Sequence, residues 1–255
     1  MRFCSFGSGS TGNSYLVSKN NTNILVDCGF SVTELESRMF QREIKPSEIT
    51  AILLTHEHDD HSKGAFAFAE KHNKPIYLTY GTLKMCQKRI KKSYNLTINI
   101  ISPLDTLKLN DFMIYIIPVP HDAREPVQFK FESENTALAI ITDLGFGNKE
   151  LINSIQKINA LILESNHDEN LLYKSKYPKN LKDRIRSNYG HLSNKEALEI
   201  LKKINFDQLK WLGAAHLSKE NNSPDLVKDL WKKVFEDKIN IIDPDFGIPW
   251  VNIHS

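Results

Sequence analysis

Cysteine is scarce in this chain. Its 255 residues hold three, Cys4, Cys28 and Cys86, with no CxxC pair. An odd, scattered set argues against a disulfide scaffold and suits a reducing compartment. No run approaches the eighteen apolar residues of a membrane span. The opening stretch, Met1–Asn13, lacks the apolar core of a secretion signal. The expected setting is the cytoplasm. An excess of one charge is missing too, since 33 Lys and Arg face 31 Asp and Glu, a net of +2. Bulk charge therefore argues neither for nor against nucleic acid, because a local basic groove can sit on a near-neutral protein. Internal repeats and low-complexity linkers are absent, and one domain over residues 1–255 is expected. With 40% hydrophobic and 25% charged residues, the composition is that of a globular protein with room for a large core.

Short strands broken by turns fill the first half. Tyr15–Val17 and Ile24–Val26 flank the polar turn Asn20–Asn23 as a hairpin. Ser31-Val32-Thr33-Glu34 has the capping-box pattern and predicts a helix to about Glu43. Ala51–Leu54 is wholly apolar, the mark of a strand buried on both faces. A helix over Lys63–His72, a strand over Pro75–Leu78 and a basic helix over Gly81–Lys92 follow. Strands are expected at Leu107–Leu109, Phe112–Pro118, Val127–Glu132, Thr136–Thr142, Ala160–Leu163 and Leu209–Gly213. Between them fall helices at Lys149–Ile158 and after the capping box Ser193–Glu196. Ser223-Pro224 opens a last helix, to about Asp237. Residues 164–191 read as irregular. Strands then helices, twice over, indicate an α/β protein with two sheets packed together and helices outside.

The strand Ala51–Leu54 runs into Thr55 and then His56-Glu57-His58-Asp59-Asp60-His61. In a loop leaving a strand end, alternate residues can converge, so His56 and His58 can chelate one ion. Asp60 and His61 lie further round and can reach a second. Imidazole nitrogen and carboxylate oxygen suit Zn²⁺, Mn²⁺ or Fe²⁺. The bland alternative is a polar loop rich in His and Asp by accident.

This spacing is the HxHxDH signature, and the chain resembles the metallo-β-lactamase fold superfamily over most of its length. The resemblance implies the four-layer αββα sandwich. It also implies further ligands in order, each just past a strand end: His121, Asp143 and His216. One metal would be held by His56, His58 and His121, the other by Asp60, His61 and His216, with Asp143 shared. Two ions, Zn or Mn, roughly 3.5–4 Å apart can hold a bridging hydroxide at near-neutral pH. Asp27, after Ile24–Val26, matches a position where the superfamily often has an Asp. It is either a partner behind a ligand His or an ordinary strand-ending turn residue.

Fold does not settle the substrate. Four segments look like the YycJ/WalJ-type family, whose members are proposed DNA exonucleases: Ser8–Asn13, Glu164–Asp168, Gly190–Asn194 and His216–Asn222. The implied activity is 5′-to-3′ exonucleolytic cleavage of DNA. The order also resembles tRNase Z-type nucleases, where a Glu pairs with a later His that protonates the leaving oxygen. Here those are Glu164 and His191, with Asp60 orienting the nucleophile. A phosphodiester needs such a donor because its alkoxide leaves poorly. The structural alternative makes Glu164 a surface acid and His191 a residue ahead of a helix cap. Asn166 and His167 are candidates to line the pocket. Ser10 and Asn13 lie in a Gly- and Ser-rich loop that could cradle a phosphate or simply turn the chain. Arg184 and Arg186, with Lys179 and Lys182, either contact a nucleic-acid backbone or form a solvated helix face. The basic run Lys84–Lys92 is a second such candidate. No basic exosite arm of the tRNase Z kind is present, and the interval from Asp143 to His216 is too short for a β-CASP domain. The rival reading is a small-molecule hydrolase of thioesters, lactones or cyclic nucleotides, which would not need the Glu164/His191 pair. A non-enzymatic metal-bound module ranks last.

Overall fold

Along Tyr15–Val17, Ile24–Val26 and Ala51–Leu53, alternate side chains go to opposite faces, and both faces are buried. Leu16, Leu25 and Ile52 pack outward among helices, whereas Tyr15, Val17, Ile24, Val26, Ala51 and Leu53 pack inward against a second sheet. That double burial is why these stretches are apolar throughout rather than alternating.

The computed structural model describes residues 1–236 and 238–254. Its strands in chain order are β1 (Arg2–Gly7), β2 (Ser14–Lys19), β3 (Thr22–Val26), β4 (Ala51–Leu53), β5 (Ile76–Thr79), β6 (Ile98–Ile101), β7 (Thr106–Leu109), β8 (Phe112–Pro118), β9 (Val127–Ser133), β10 (Thr136–Ile141), β11 (Ala160–Glu164), β12 (Trp211–Ala215), β13 (Ile239–Ile241) and β14 (Ile248–Asn252). The first sheet runs β14-β1-β2-β3-β4-β5-β6 and the second β13-β12-β11-β10-β9-β8-β7. Both are mixed: β3 to β6 are mutually parallel, as are β10 to β13.

The helices are α1 (Val32–Phe40), α2 (Asp59–Ser62), α3 (Ala65–His72), α4 (Tyr80–Cys86), α5 (Lys149–Ser154), α6 (Glu169–Lys174), α7 (Lys179–Ile185), α8 (Asn194–Leu201) and α9 (Pro224–Trp231). Leu35, Met39, Phe66 and Phe68 seat α1 and α3 on the outer face of the first sheet. Leu151, Leu198, Leu201, Val227 and Trp231 seat α5, α8 and α9 on the outer face of the second. The result is the expected αββα sandwich.

Several boundaries differ from the sequence expectation. The helix expected over Lys63–His72 begins at Ala65, and a separate short helix, α2, precedes it inside the His/Asp run. There the Ser62 hydroxyl donates to the carbonyls of Glu57 and His58 and closes a helical turn. The basic helix expected over Gly81–Lys92 stops at Cys86, and a single 3₁₀ turn, Gln87–Arg89, follows. Arg89 turns in to donate to the Glu57 carbonyl, the Ser62 hydroxyl and the Asp59 carboxylate, so this basic residue braces the His/Asp loop. Residues 164–191 are not irregular throughout but carry α6 and α7. The strand expected at Leu209–Gly213 lies at Trp211–Ala215, which sets His216 directly at its end. The Ser193 capping box forms as expected, with Ser193 Oγ accepting from the Glu196 amide and the Glu196 carboxylate accepting from the Ser193 amide. α9 ends at Trp231, and Asp237, the expected terminus, lies outside the described residues.

Candidate metal centre

The carboxyl ends of β3, β4, β8, β10, β11 and β12 converge on one rim, where open α/β sheets place their sites. At three of those ends the backbone turns into the left-handed region: Asp27, Asp143 and His216 have φ of 61°, 53° and 55°. Such conformations cost about 1–3 kcal/mol each for a residue other than glycine. Here the cost falls on residues that carry an acid or an imidazole into the same cluster.

Donor atoms gather in three groups, the last two sharing Asp143 and His216: His56, His58 and His121; Asp60, His61, Asp143 and His216; and Asp143, Glu164, His191 and His216. Within each, one ligand-capable atom per residue lies within 4.8 Å of every other. The seven residues that the sequence nominates for metal are thus brought together, with Asp143 reaching both the second and third groups.

Each imidazole is held by one nitrogen, and its other nitrogen points inward. His61 Nδ1 lies 2.8 Å from Asp27 Oδ2, and its Nε2 faces Asp143. His56 Nδ1 lies 3.0 Å from Thr55 Oγ1, and that hydroxyl in turn contacts both oxygens of Asp27. One buried carboxylate therefore orients His61 directly and His56 through Thr55. His121 Nδ1 is bonded to the Gly190 carbonyl at 3.1 Å. His58 Nε2 sits 3.2 Å from the Asp122 carbonyl, which leaves Nδ1 toward His121. His216 Nδ1 lies 3.3 Å from Glu164 Oε1, and its Nε2 faces Asp60 and Asp143.

Among the seven nominated ligands, two buried side-chain atoms have no hydrogen-bond partner, His56 Nε2 and Asp143 Oδ2. The latter is 3.0 Å from His61 Nε2, but without hydrogen-bond geometry. Leaving such atoms bare costs about 1–3 kcal/mol each. Nitrogen and oxygen donors left inward-facing and unpaired fit a divalent metal.

The charges fit the same picture. Burial alone would lower the pKa of His61, but Asp143, Asp60 and Asp27 around it prevail and raise it well above the usual histidine range. His216 goes up to about 10 against its burial, because of Asp143, Asp60 and Glu164. Burial pulls His121 down to about 4. The site is an acidic pocket that compensates its carboxylates with whatever cation is at hand.

Glu164 is fully buried, not a surface acid. Its Oε1 accepts from His191 Nδ1 at 2.7 Å, and its Oε2 accepts from the amides of Leu144 and Leu192. Burial opposes ionisation of Glu164, yet the facing His191 and His216 keep its pKa below the usual range; His191 in turn is raised by Glu164 against its own burial. His191 lines a cavity of about 260 Å³ together with Asp60, Asp143, His216 and Ser10.

Other nominated residues have varied places. Asn166 lines the cavity and its amide donates to the His216 carbonyl at 2.9 Å. His167 is buried behind the rim, its pKa lowered by burial to about 4. Asn13 sits under Asp60, its amide nitrogen 3.2 Å from Asp60 Oδ2 and 3.0 Å from His61 Nε2. Ser8 Oγ accepts from the His216 amide, so the Ser8–Asn13 loop braces the rim. Arg184 lines the cavity and pairs with Asp122, whereas Arg186 faces a neighbouring cavity. Two further histidines lie away from the cluster: His72 pairs with Glu36, and His254 is exposed.

Sequence reasoning missed Thr55, Asp122 and the constraint at Gly29, and it offered Arg89 as a nucleic-acid contact where the structure has it bracing the His/Asp loop. A Cβ on Gly29 would stand 1.8 Å from the Asp60 carbonyl oxygen. Gly29→Ala should therefore displace Asp60. The expected loss is about 1–3 kcal/mol of stability, read by thermal denaturation, with weaker metal uptake; an unshifted transition would mean that the loop yields freely. Asp27→Ala should weaken metal binding roughly 10–100-fold, measured by calorimetric titration of the metal-free protein. An unchanged affinity would reduce Asp27 to a turn residue.

Comparison with known proteins agrees with this geometry. Residues 22–212 match the family model described as a Beta-lactamase superfamily domain. The chain belongs to the β-lactamase superfamily. A curated relative, Exodeoxyribonuclease YycJ of Bacillus anthracis, is 34% identical over 93% of this chain and 90% of its own length. Exodeoxyribonuclease WalJ of Streptococcus pneumoniae is 30% identical over 89% of this chain and 85% of its own. The chain is thus a YycJ/WalJ-type member of the superfamily and a metal-dependent hydrolase. Among solved structures, the metallo-β-lactamase fold protein YhfI of Bacillus subtilis shares the fold with a TM-score of 0.75 at 21% identity, over 95% of this chain and 96% of that one. No helix among the described residues is long and apolar enough to cross a membrane.

Proposed function

We propose that this protein is a dinuclear metal-dependent phosphodiesterase that degrades DNA from the 5′ end. The observation that carries the reading is the buried Glu164 bonded to His191 at 2.7 Å, with His191 lining the cavity that Asp60, Asp143 and His216 also line. Hydrolysis of esters with good leaving groups has no use for such a pair, but departure of a sugar alkoxide requires a proton. The two relatives are named as exodeoxyribonucleases, which supports DNA as substrate.

His56, His58 and His121 would hold one divalent ion and Asp60, His61 and His216 the other, with Asp143 between them. Zinc or manganese there would supply Lewis-acid charge to the phosphodiester and lower the pKa of water. The chain's own groups do the rest. Glu164 fixes the tautomer of His191, so that Nδ1–H is spent on the carboxylate and Nε2 carries the mobile proton to the leaving oxygen. Asp60 orients the attacking water. Arg184, held by Asp122 at the cavity wall, offers its guanidinium to the phosphate.

The reading is tested with strands labelled at the 3′ end and protected at one end or the other. The expected result is stepwise shortening of a strand with a free 5′ end and survival of a 5′-protected one. Loss of the label as the first event reverses the polarity, and an internal cut means an endonuclease. Rapid turnover of thioesters or cyclic nucleotides with intact DNA would transfer the reading to the small-molecule class.

A further inference from the structure

A second cavity, of about 360 Å³, opens beside the catalytic one, with Tyr177 in both walls. It is lined by Leu172, Tyr173, Tyr177, Lys179, Lys182 and Arg186, and Asp183 is its one acid. The segment that builds it, Glu169–Tyr189, holds six basic and two acidic residues, a net of +4 where the whole chain carries +2. A locally positive segment thus sits at the lip of the active site of a near-neutral protein.

Not all of that charge is free. Lys182 donates to the carbonyls of Tyr173 and Ser175 and ties the turn between α6 and α7, and Arg184 pairs with Asp122. Lys179 and Arg186 make no ion pair among the described residues. Tyr173 is 75% exposed, an aromatic ring left in water where a core would have buried it. Exposed tyrosine beside unpaired cations, continuous with a phosphodiesterase cavity, has the chemistry of a single-stranded nucleic-acid track, in which bases stack on rings and phosphates meet Lys and Arg.

We propose that this cavity is a nucleotide subsite for the DNA strand entering the metal centre. A base of the strand stacks on Tyr173 and Tyr177, and its phosphate meets Lys179 and Arg186. The inference rests on the nuclease reading and deepens it. A base inside a duplex cannot reach a side cavity, so the strand must be unpaired at the subsite, and overhanging or frayed ends are preferred over blunt ones.

The test compares the metal-loaded wild type with Tyr173→Ala and Lys179→Ala on two substrates: a single-stranded oligothymidylate and bis(4-nitrophenyl) phosphate. The small diester fills only the catalytic cavity. Tyr173→Ala is expected to lose about tenfold or more in kcat/KM on the oligonucleotide. Lys179→Ala is expected to reduce the slope of log kcat/KM against log salt by about 0.7. Both are expected to hydrolyse the small diester within about twofold of wild type. Oligonucleotide cleavage unimpaired in both variants overturns the subsite and leaves the nuclease intact. An equal loss on both substrates also overturns it, since the residues would then be structural. A wild type that hydrolyses the small diester but spares every strand overturns the nuclease reading and the subsite with it.

Discussion

His191→Ala is expected to slow DNA cleavage by about 10²–10⁴-fold without loss of metal. The geometry explains both halves of that expectation. His191 Nδ1 is committed to Glu164 at 2.7 Å, so its other nitrogen is the one presented to the cavity. A deoxyribose alkoxide departing without a proton is a high-energy species, and removal of the donor exposes that cost in full. A 4-nitrophenolate departs readily unprotonated. The same variant should therefore hydrolyse bis(4-nitrophenyl) phosphate at close to the wild-type rate, and this contrast separates a proton donor from a ligand. Glu164→Gln should show the same pattern in weaker form, since an amide can still position the ring but no longer favours its charged form. If metal content falls in His191→Ala, or if both substrates suffer alike, His191 is a ligand or a structural residue.

Asp143→Ala is the second large effect. Its carboxylate lies 3.0 Å from His61 Nε2, 3.4 Å from His216 Nε2 and 3.6 Å from His191 Nδ1, at the junction of the clusters. No other acid among the described residues faces all three imidazoles. Its removal should lower metal content from about two equivalents toward one, with activity reduced by about 10³-fold or more. Elemental analysis after dialysis, paired with a rate measurement, checks this directly. Full occupancy in the variant would show that Asp143 orients neighbours rather than sharing the ions. Asp122→Ala is the useful control. It loosens Arg184 while leaving His58 its backbone acceptor, the Asp122 carbonyl, and metal content should hold.

Much of this was legible before any coordinates. Strands buried on both faces, such as Ala51–Leu53 and the run Ala160–Leu163, announce themselves because water-free environments on both sides leave no polar position in the pattern. Edge strands are less regular in this respect: Thr106–Leu109 was expected, from Leu107 on, and others were not. Ile98–Ile101 and Ile248–Asn252 mix buried with exposed positions, and neither was foreseen. Arg2–Gly7 escaped because Ser5 and Gly7 break its apolar run, although Ser5 Oγ is satisfied by local backbone carbonyls.

The site divides in the same way. His56 to His61 lie within one turn of chain, so local spacing is enough to nominate them. His121, Asp143 and His216 are ordinary residues after ordinary strands, and only the order shared with a known family connects them. Thr55, Asp122 and Arg89 had no signal of that kind. Thr55 acts through a hydroxyl between two partners, Asp122 through its carbonyl to His58 and its carboxylate to Arg184, and Arg89 from a turn read as helix. Their roles exist only in three dimensions. An acid next to a ligand histidine, as Asp122 is to His121, was the one hint available.

The most direct measurement strips the protein of metal with a chelator, reloads it with Mn²⁺ or Zn²⁺, and follows end-labelled single- and double-stranded DNA beside an Asp60→Ala control. The account predicts no cleavage by the stripped protein, recovery on reloading, and none in the control. DNA left intact by protein that has taken up its metal would contradict it.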